Sequence, residues 1–320
     1  MTFPGRCQVP IRLEAAEKLT MKIPFAKYQA AGNDFIIVSA QDLEFGRRDG
    51  RARTRRLASL ARAILARHTG VGADGLFVTS SPAGRTHALA VRIFNADGGE
   101  AEMSGNGIRC AAAWLVEQTR RSTVEIETLA GLKRVQLVGV QRGDRLFRVN
   151  MGSPILQPAK IPFAGKGAKA PVKSYPLPVS RGTEAVTVTS MGNPHCSLFV
   201  ASLDNPDFDW RALGLEIERH PLFPNRTNVE FVRVLSRSEI EVRFWERGVG
   251  ETASSGTGSS AAVVAAVLNG LTGRRVTVKT RGGELEVNWT KSGKVHLTGP
   301  VRMVASGHYE YDEGGNAPPR

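Results

Sequence analysis

The chain has 320 residues, 41% of them hydrophobic and 23% charged, and a formal net charge of +13. That length suits two domains, and that balance excludes a disordered chain. No apolar run reaches the roughly 18–20 residues of a membrane-spanning helix, and Cys7, Cys110 and Cys196 form neither a disulfide framework nor a zinc cluster, so the expected compartment is a reducing cytoplasm.

Residues 1–20 read as an extension lacking the apolar centre of a secretory signal, and Met21-Lys22-Ile23-Pro24-Phe25 reads as a fresh start. Phe25 to Val38 is strand-like at both ends around the turn Ala30-Ala31-Gly32-Asn33-Asp34-Phe35. The stretch Arg47 to Arg67 holds Arg47, Arg48, Arg51, Arg53, Arg55, Arg56 and Arg62. Its excess charge could attract nucleic acid or anionic substrates. Leu57, Leu60, Ile64 and Leu65 recur at helical spacing, however, so the arginines form the solvated face of a helix. No aromatic residues interleave with them, and no nucleic-acid partner is expected. Gly70 to Gly75 is a tight loop, Leu76 to Thr79 a short strand, and Ala88 to Asn95 an alternating strand.

A glycine-rich stretch then appears that recurs later. Gly99-Glu100 through Ser104-Gly105-Asn106-Gly107 opens an alanine-rich helix to about Glu117. Gly250-Glu251 through Ser255-Gly256-Thr257-Gly258 opens another to Asn269. The two serines lie 151 residues apart, close to half the chain, as in a duplicated unit whose copies face each other across a cleft. Between the helices, strands are expected at Thr123–Thr128, Lys133–Val140, Leu146–Met151, Ala185–Ser190, Asn228–Leu235 and Glu239–Trp245. A short helix is expected at Trp210–His220, and 157–178 reads as loop with short strands. Strands near Val276–Thr280, Glu284–Trp289 and Lys294–Thr298 precede a mobile tail at 313–320. Each half is thus mostly strand with one long central helix.

Several chemistries do not fit. Gly256-Thr257-Gly258-Ser259-Ser260-Ala261 has the letters of a dinucleotide fingerprint, but no acidic residue follows near twenty positions on and the strand-helix-strand context is missing. There is no Gly-Lys-Ser/Thr loop, and neither serine lies in Gly-x-Ser-x-Gly. Two glycine-rich helix starts suit anion handling, because bare amides and the helix dipole approach a carboxylate closely. The alternative is that Gly-x-Gly merely packs a helix tightly against a sheet.

Phe94-Asn95-Ala96-Asp97-Gly98 through Ser104-Gly105-Asn106-Gly107-Ile108-Arg109-Cys110 resembles the first signature of the diaminopimelate epimerase family, and Glu246-Arg247-Gly248 through Ser255-Gly256-Thr257-Gly258 resembles the second. Ala31 to Phe35, Gly70 to Gly75, Gly192-Asn193-Pro194-His195 and Asn228-Val229 match in family order. The resemblance implies an α/β (α+β) fold of two pseudo-symmetric domains. Each would be a curled, mainly antiparallel sheet around a central helix, with the active site in the cleft between them. The boundaries expected are 21–150, with a returning strand at about 300–312, and 151–299. It also implies a cofactor-independent, PLP-free inversion of LL- to meso-diaminopimelate by two-base proton transfer, serving lysine and peptidoglycan precursor synthesis, in a homodimer. By match, Asn33, Asn95, Asn193, Asn228, Glu246 and Arg247 would bind the diamino dicarboxylic acid, with amides from Gly105, Asn106, Gly256 and Thr257. His195 and Glu246 would support catalysis.

The family's two catalytic cysteines are Ser104 and Ser255 here. A hydroxyl is a far weaker acid than a thiol and needs an adjacent base. Cys110 lies about 9 Å up the helix and about 240° around it from Ser104, and nothing aims Cys196 at the cleft. Two further readings follow. One is a lyase or isomerase of the same fold using a carboxylate base, with Glu100, Glu102 and Glu251 as candidates unless they serve only the helix starts. The other is a binding protein without chemistry.

Overall fold

The computed structural model describes residues 20–43, 45, 50–82 and 88–313. The expected extension and tail lie outside them, apart from Thr20 and Glu313. Strand β1 (Thr20–Ala30) turns through Ala31 and Gly32 into β2 (Asn33–Ser39). Both turn residues have positive φ, 51° and 84°, as in the two-residue hairpins whose twist matches the strands they join. Helix α1 (Gly50–Leu65) buries Leu57, Leu60, Ile64 and Leu65 and leaves Arg51, Arg53, Arg55 and Arg62 in solvent. The described arginines of this run therefore lie on a packed helix, mostly on its outer face, while Arg47 and Arg48 fall outside the described residues.

The rest of the first half is β3 (Gly75–Ser80), β4 (Ala88–Asn95), β5 (Glu100–Ala101), α2 (Gly105–Thr119), β6 (Thr123–Thr128), β7 (Gly131–Gln141) and β8 (Asp144–Gly152). After a single 3-10 turn come β9 (Val172–Val179), β10 (Gly182–Ser190), β11 (Pro194–Phe199), α3 (Trp210–Glu218), β12 (Asn228–Ser236), β13 (Glu239–Glu246) and β14 (Gly250–Thr252). Helix α4 (Gly256–Leu268), β15 (Arg275–Thr280), β16 (Gly283–Trp289) and β17 (Val295–Asp312) end the described chain. Two strands run further than expected. Val172–Val179 is one strand paired to β10 despite two prolines. The last strand continues through Gly299-Pro300 and Ser306-Gly307, because β8 and β1 pair with it on either side of these apparent breaks. Strand β11, absent from the sequence reading, runs parallel to β12.

Strand pairing repeats between the halves. In the first, β2 and β3 are parallel, β4 folds back on β3, β5 caps the end of β4, and β6 runs parallel to β4's start. In the second, β11 to β15 do the same. Strands β1, β2, β3, β4, β6, β7, β8 and β17 form a closed ring around α2, so the chain's last strand seals its first half. The enclosed helices carry small residues: Ala111, Ala112 and Ala113 in α2, and Ala261 to Ala266 with only two valines between in α4, all at most 1% exposed. Small side chains let the curled sheet approach the helix axis at native density.

The halves touch asymmetrically. The β6–β7 turn and the β15–β16 turn are built alike: Thr128 and Thr280 each donate through Oγ1 to the carbonyl three residues on and accept the amide two residues on. The second turn abuts the β1–β2 hairpin so closely that a Cβ on Gly282 would stand 1.9 Å from the Ala31 carbonyl oxygen. In the first turn the corresponding residue is Ala130, and Gly192, in the β10–β11 hairpin that corresponds to β1–β2, has open space around it. The close backbone contact at Gly282 thus has no counterpart at Gly192. Gly282→Ala should therefore cost about 1–3 kcal/mol by overpacking, read from urea denaturation. An unchanged midpoint would show that the hairpin yields freely.

Candidate functional site

Helices α2 and α4 meet at their N-termini. A Cβ on Gly105 would lie 3.3 Å from the Cα of Gly256, and the reciprocal distance is 3.2 Å. The second glycine of each motif has a different task. At Gly107 a Cβ would strike the Phe77 ring at 2.4 Å, and at Gly258 the Phe244 ring at 2.9 Å. The first glycine thus permits helix-to-helix approach, and the second packs the helix against the sheet, as the packing reading of Gly-x-Gly expects.

The two serines are N-caps of matching geometry, Ser104 at φ −135°, ψ 118° and Ser255 at φ −134°, ψ 124°. Their Oγ atoms accept the amides of Gly107 and Gly258 at 3.1 and 3.2 Å. The amides of Ile108 and Ser259 reach the serine carbonyls. Among the described residues this leaves Gly105 and Asn106 on one helix, and Gly256 and Thr257 on the other, with amides that no helical partner satisfies. Each helix end carries roughly +0.5 of a charge, and here two such ends are held together.

Around them lies a hydrogen-bonded framework. Asn106 donates to Asn33 at 2.6 Å, and Asn33 to Asp74 at 2.9 Å. Desolvation would raise the Asp34 carboxyl, but Lys27 and Arg67 outweigh it and hold it below its usual range. Asn228 donates to the Pro194 carbonyl and accepts the Arg247 amide. His195 is fully buried, with Nδ1 2.6 Å from Glu230 and Nε2 2.9 Å from Asn193. Both ring nitrogens are engaged, so in this geometry His195 holds Asn193 in place. Asn33, Asn106, Asn193 and Asn228 are thus all tied to other residues of the chain; Asn95 is exposed, and Arg247, also exposed, donates through Nη1 to the Asn225 carbonyl at 3.1 Å.

Glu246 is the carboxyl beside a serine. It accepts a hydrogen bond from Thr252 at 2.6 Å, and Ser255 lies close enough to lower its pKa. Desolvation pushes its pKa up, with Glu230 adding to the rise, while Thr252, His195 and Ser255 pull the other way. The other candidate bases are elsewhere. Glu100 is paired to Arg92 at 2.6 and 2.7 Å, Glu251 lies between Arg211 and Arg281, and Glu102 is exposed. Glu100 and Glu251 sit in β5 and β14, not in a helical first turn. Both thiols are fully buried, and desolvation pushes Cys110 up to about 12 and Cys196 well above its ordinary value.

Three residues that matter here escaped the sequence reading. Glu230 binds His195 and Ser197; its only signal was a charge inside the apolar run Val229 to Val232. Glu218 takes Trp245 Nε1 and the Gly248 amide and so fixes the Glu246–Gly248 turn. Arg109 is fully buried, the one charge between Ile108 and Val116.

The family model for diaminopimelate epimerase matches residues 25–157 and 187–304. The chain is 44% identical over 290 residues to the diaminopimelate epimerase of Pelotomaculum thermopropionicum, covering 90% of this chain and 99% of that one. With that of Halothermothrix orenii it shares 41% over 300 residues, 92% and 100% of the two chains. Among solved structures, a hydroxyproline epimerase from Agrobacterium vitis superposes with a TM-score of 0.62 at 16% identity, over 92% of this chain and 94% of that one. A methylitaconate-delta-isomerase gives 0.59 at 15%, over 94% and 98%. These last two share the fold. The chain belongs to the diaminopimelate epimerase family.

The raised Glu246 carboxyl has a consequence for stability. Below the unfolded value of about 4.3 the group is protonated in both states and costs nothing. As pH rises from there through the folded value, ionisation takes stability from the native state. Denaturation midpoints of Glu246→Gln and the unaltered chain should therefore separate in favour of the variant as pH rises above about 4.3. A gap that does not change with pH would show that the carboxyl is well solvated.

Proposed function

We propose that the chain is a cofactor-independent amino-acid epimerase of the diaminopimelate type, with an α-carboxylate seated on the paired helix starts. The observation that carries this reading is the backbone contact of Gly105 with Gly256, which brings two sets of unpaired amides and two capping serines to one place. Loss of the α-proton spreads negative charge into the carboxylate, and preorganised amides stabilise that charge as it grows. Serines from opposite halves would flank the α-carbon, one for each face.

A serine hydroxyl needs a base, and the Glu246 carboxyl beside Ser255 would supply one. A carboxyl whose pKa is raised is a stronger base than an ordinary carboxylate. In this reading the α-proton passes through Ser255 to Glu246, while Ser104 protonates the other face and recovers its proton from water. An alkoxide is a costly intermediate at Ser104, so turnover is expected to be slow. The substrate would be LL-diaminopimelate, with Asn95 and Arg247 for its distal end. The setting would be cytoplasmic lysine and peptidoglycan precursor synthesis, in a homodimer as the family resemblance suggests. A second reading has Glu246 as the direct base of a related isomerase or lyase, favoured by the same Ser255 contact.

Deuterium incorporation at the α-carbon of LL- and meso-diaminopimelate, followed by NMR in deuterated water, tests both. The unaltered chain should exchange slowly, and Ser104→Cys combined with Ser255→Cys should exchange about 100-fold faster or more. If neither form incorporates deuterium, the diaminopimelate assignment is wrong. If Glu246→Gln alone stops exchange while Ser255→Ala does not, Glu246 is the direct base.

A further inference from the structure

Arg109 is fully buried, and no carboxylate lies within ion-pair distance of it among the described residues. Its Nη1 donates to the Gly105 carbonyl at 3.2 Å and its Nη2 to Asn106 Oδ1 at 2.9 Å. Its Nε is buried with no hydrogen-bond partner. Desolvation pulls its pKa down to about 10. The guanidinium is packed against β17, where a Cβ on Gly299 would stand 3.1 Å from both Cζ and Nη2.

The duplicated half shows what this residue does beyond filling space. Ser260 holds the corresponding position in α4, and its Oγ donates to the Gly256 carbonyl at 2.9 Å, the counterpart of the Arg109–Gly105 bond. A serine is enough to tie off that carbonyl, so the positive charge is what Arg109 adds. The other buried ionisable groups nearby do not cancel it. His195 and Glu230 are partners of each other, and Glu246 is held by Thr252 and makes no ion pair with Arg109. An unpaired buried charge is costly unless something compensates it.

We propose that Arg109 is a positioning and charge-compensating residue for a ligand carboxylate at the Gly105/Gly256 helix starts, the carboxylate being the counterion that the fold itself omits. Its charge acts through Asn106, and Asn106 in turn fixes Asn33, so the cation both favours the anion and aligns the amides that receive it. This rests on reading the helix starts as a carboxylate site, and the test separates the two.

The probes are LL-diaminopimelate against its mono-α-carboxamide, and acetate against acetamide, each titrated by calorimetry or by amide shifts of Gly105, Asn106, Gly256 and Thr257. The unaltered chain should prefer each carboxylate by about tenfold or more. Arg109→Gln should remove most of that preference and Arg109→Lys should keep it. A folded Arg109→Gln chain with the full preference overturns the proposal. On the unaltered chain, acetate should shift the Arg109 Nε signal in ¹⁵N spectra, assigned apart from those of the buried Arg56 and Arg243 Nε groups, and acetamide should not, which covers the case of a variant that does not fold. A signal unmoved by acetate overturns the proposal equally. If the acetate effects appear and diaminopimelate does not bind, the role of Arg109 stands and the substrate assignment falls.

Discussion

Two glycine Cα atoms in van der Waals contact set the terms for the rest of the molecule. Helix N-termini carry like partial charges and do not seek each other. Holding α2 against α4 end to end requires that neither Gly105 nor Gly256 have a side chain, that alanine-rich helices be gripped by curled sheets, and that the exposed amides be partly satisfied. The serine caps do the last of these, and Asn106 crosses to the Ser254 carbonyl at 3.5 Å as a weak tie between the halves. The result is a concentration of positive potential built mostly from backbone.

The duplication was legible because it is local. Helix starts, glycine spacing and alternating strands are written in short windows, and most of those elements fall where the pattern puts them. What the sequence hid is the asymmetry, which depends on strand pairing across long separations. Phe35 and Phe77 stack edge to face at 5.5 Å beneath α2, while the matching places in the strand pairing of the second half hold His195 and Glu230. Arg109 answers to Ser260 in the same way. A symmetric backbone therefore carries a one-sided set of charges. Nothing in a window of ten residues shows that Glu230 will find His195, because parallel pairing of β11 with β12 brings them together across 35 positions.

Serine at both helix starts is also coherent as structure. A hydroxyl oxygen is a good acceptor for the amide it caps, whereas sulfur is a weak one. By accepting the cap bond through a lone pair, Ser255 keeps its proton free for a base beside it. The exchange of thiol for hydroxyl thus gains helix termination where it loses acidity, and the two effects act on the same atom.

The ring around α2 has a temporal side. Its eighth member is β17, which seals β1 to β8 only after Val295–Asp312 has been made. Until then, a nascent first half has two unpaired strand edges, the kind of surface that invites pairing with other chains. Sequence separations of this size also slow folding, since loop closure must come before the contacts that reward it. Synthesis from the N-terminus therefore leaves the first half waiting for nearly the whole length of the second, and a chain cut short before β17 would expose both edges permanently.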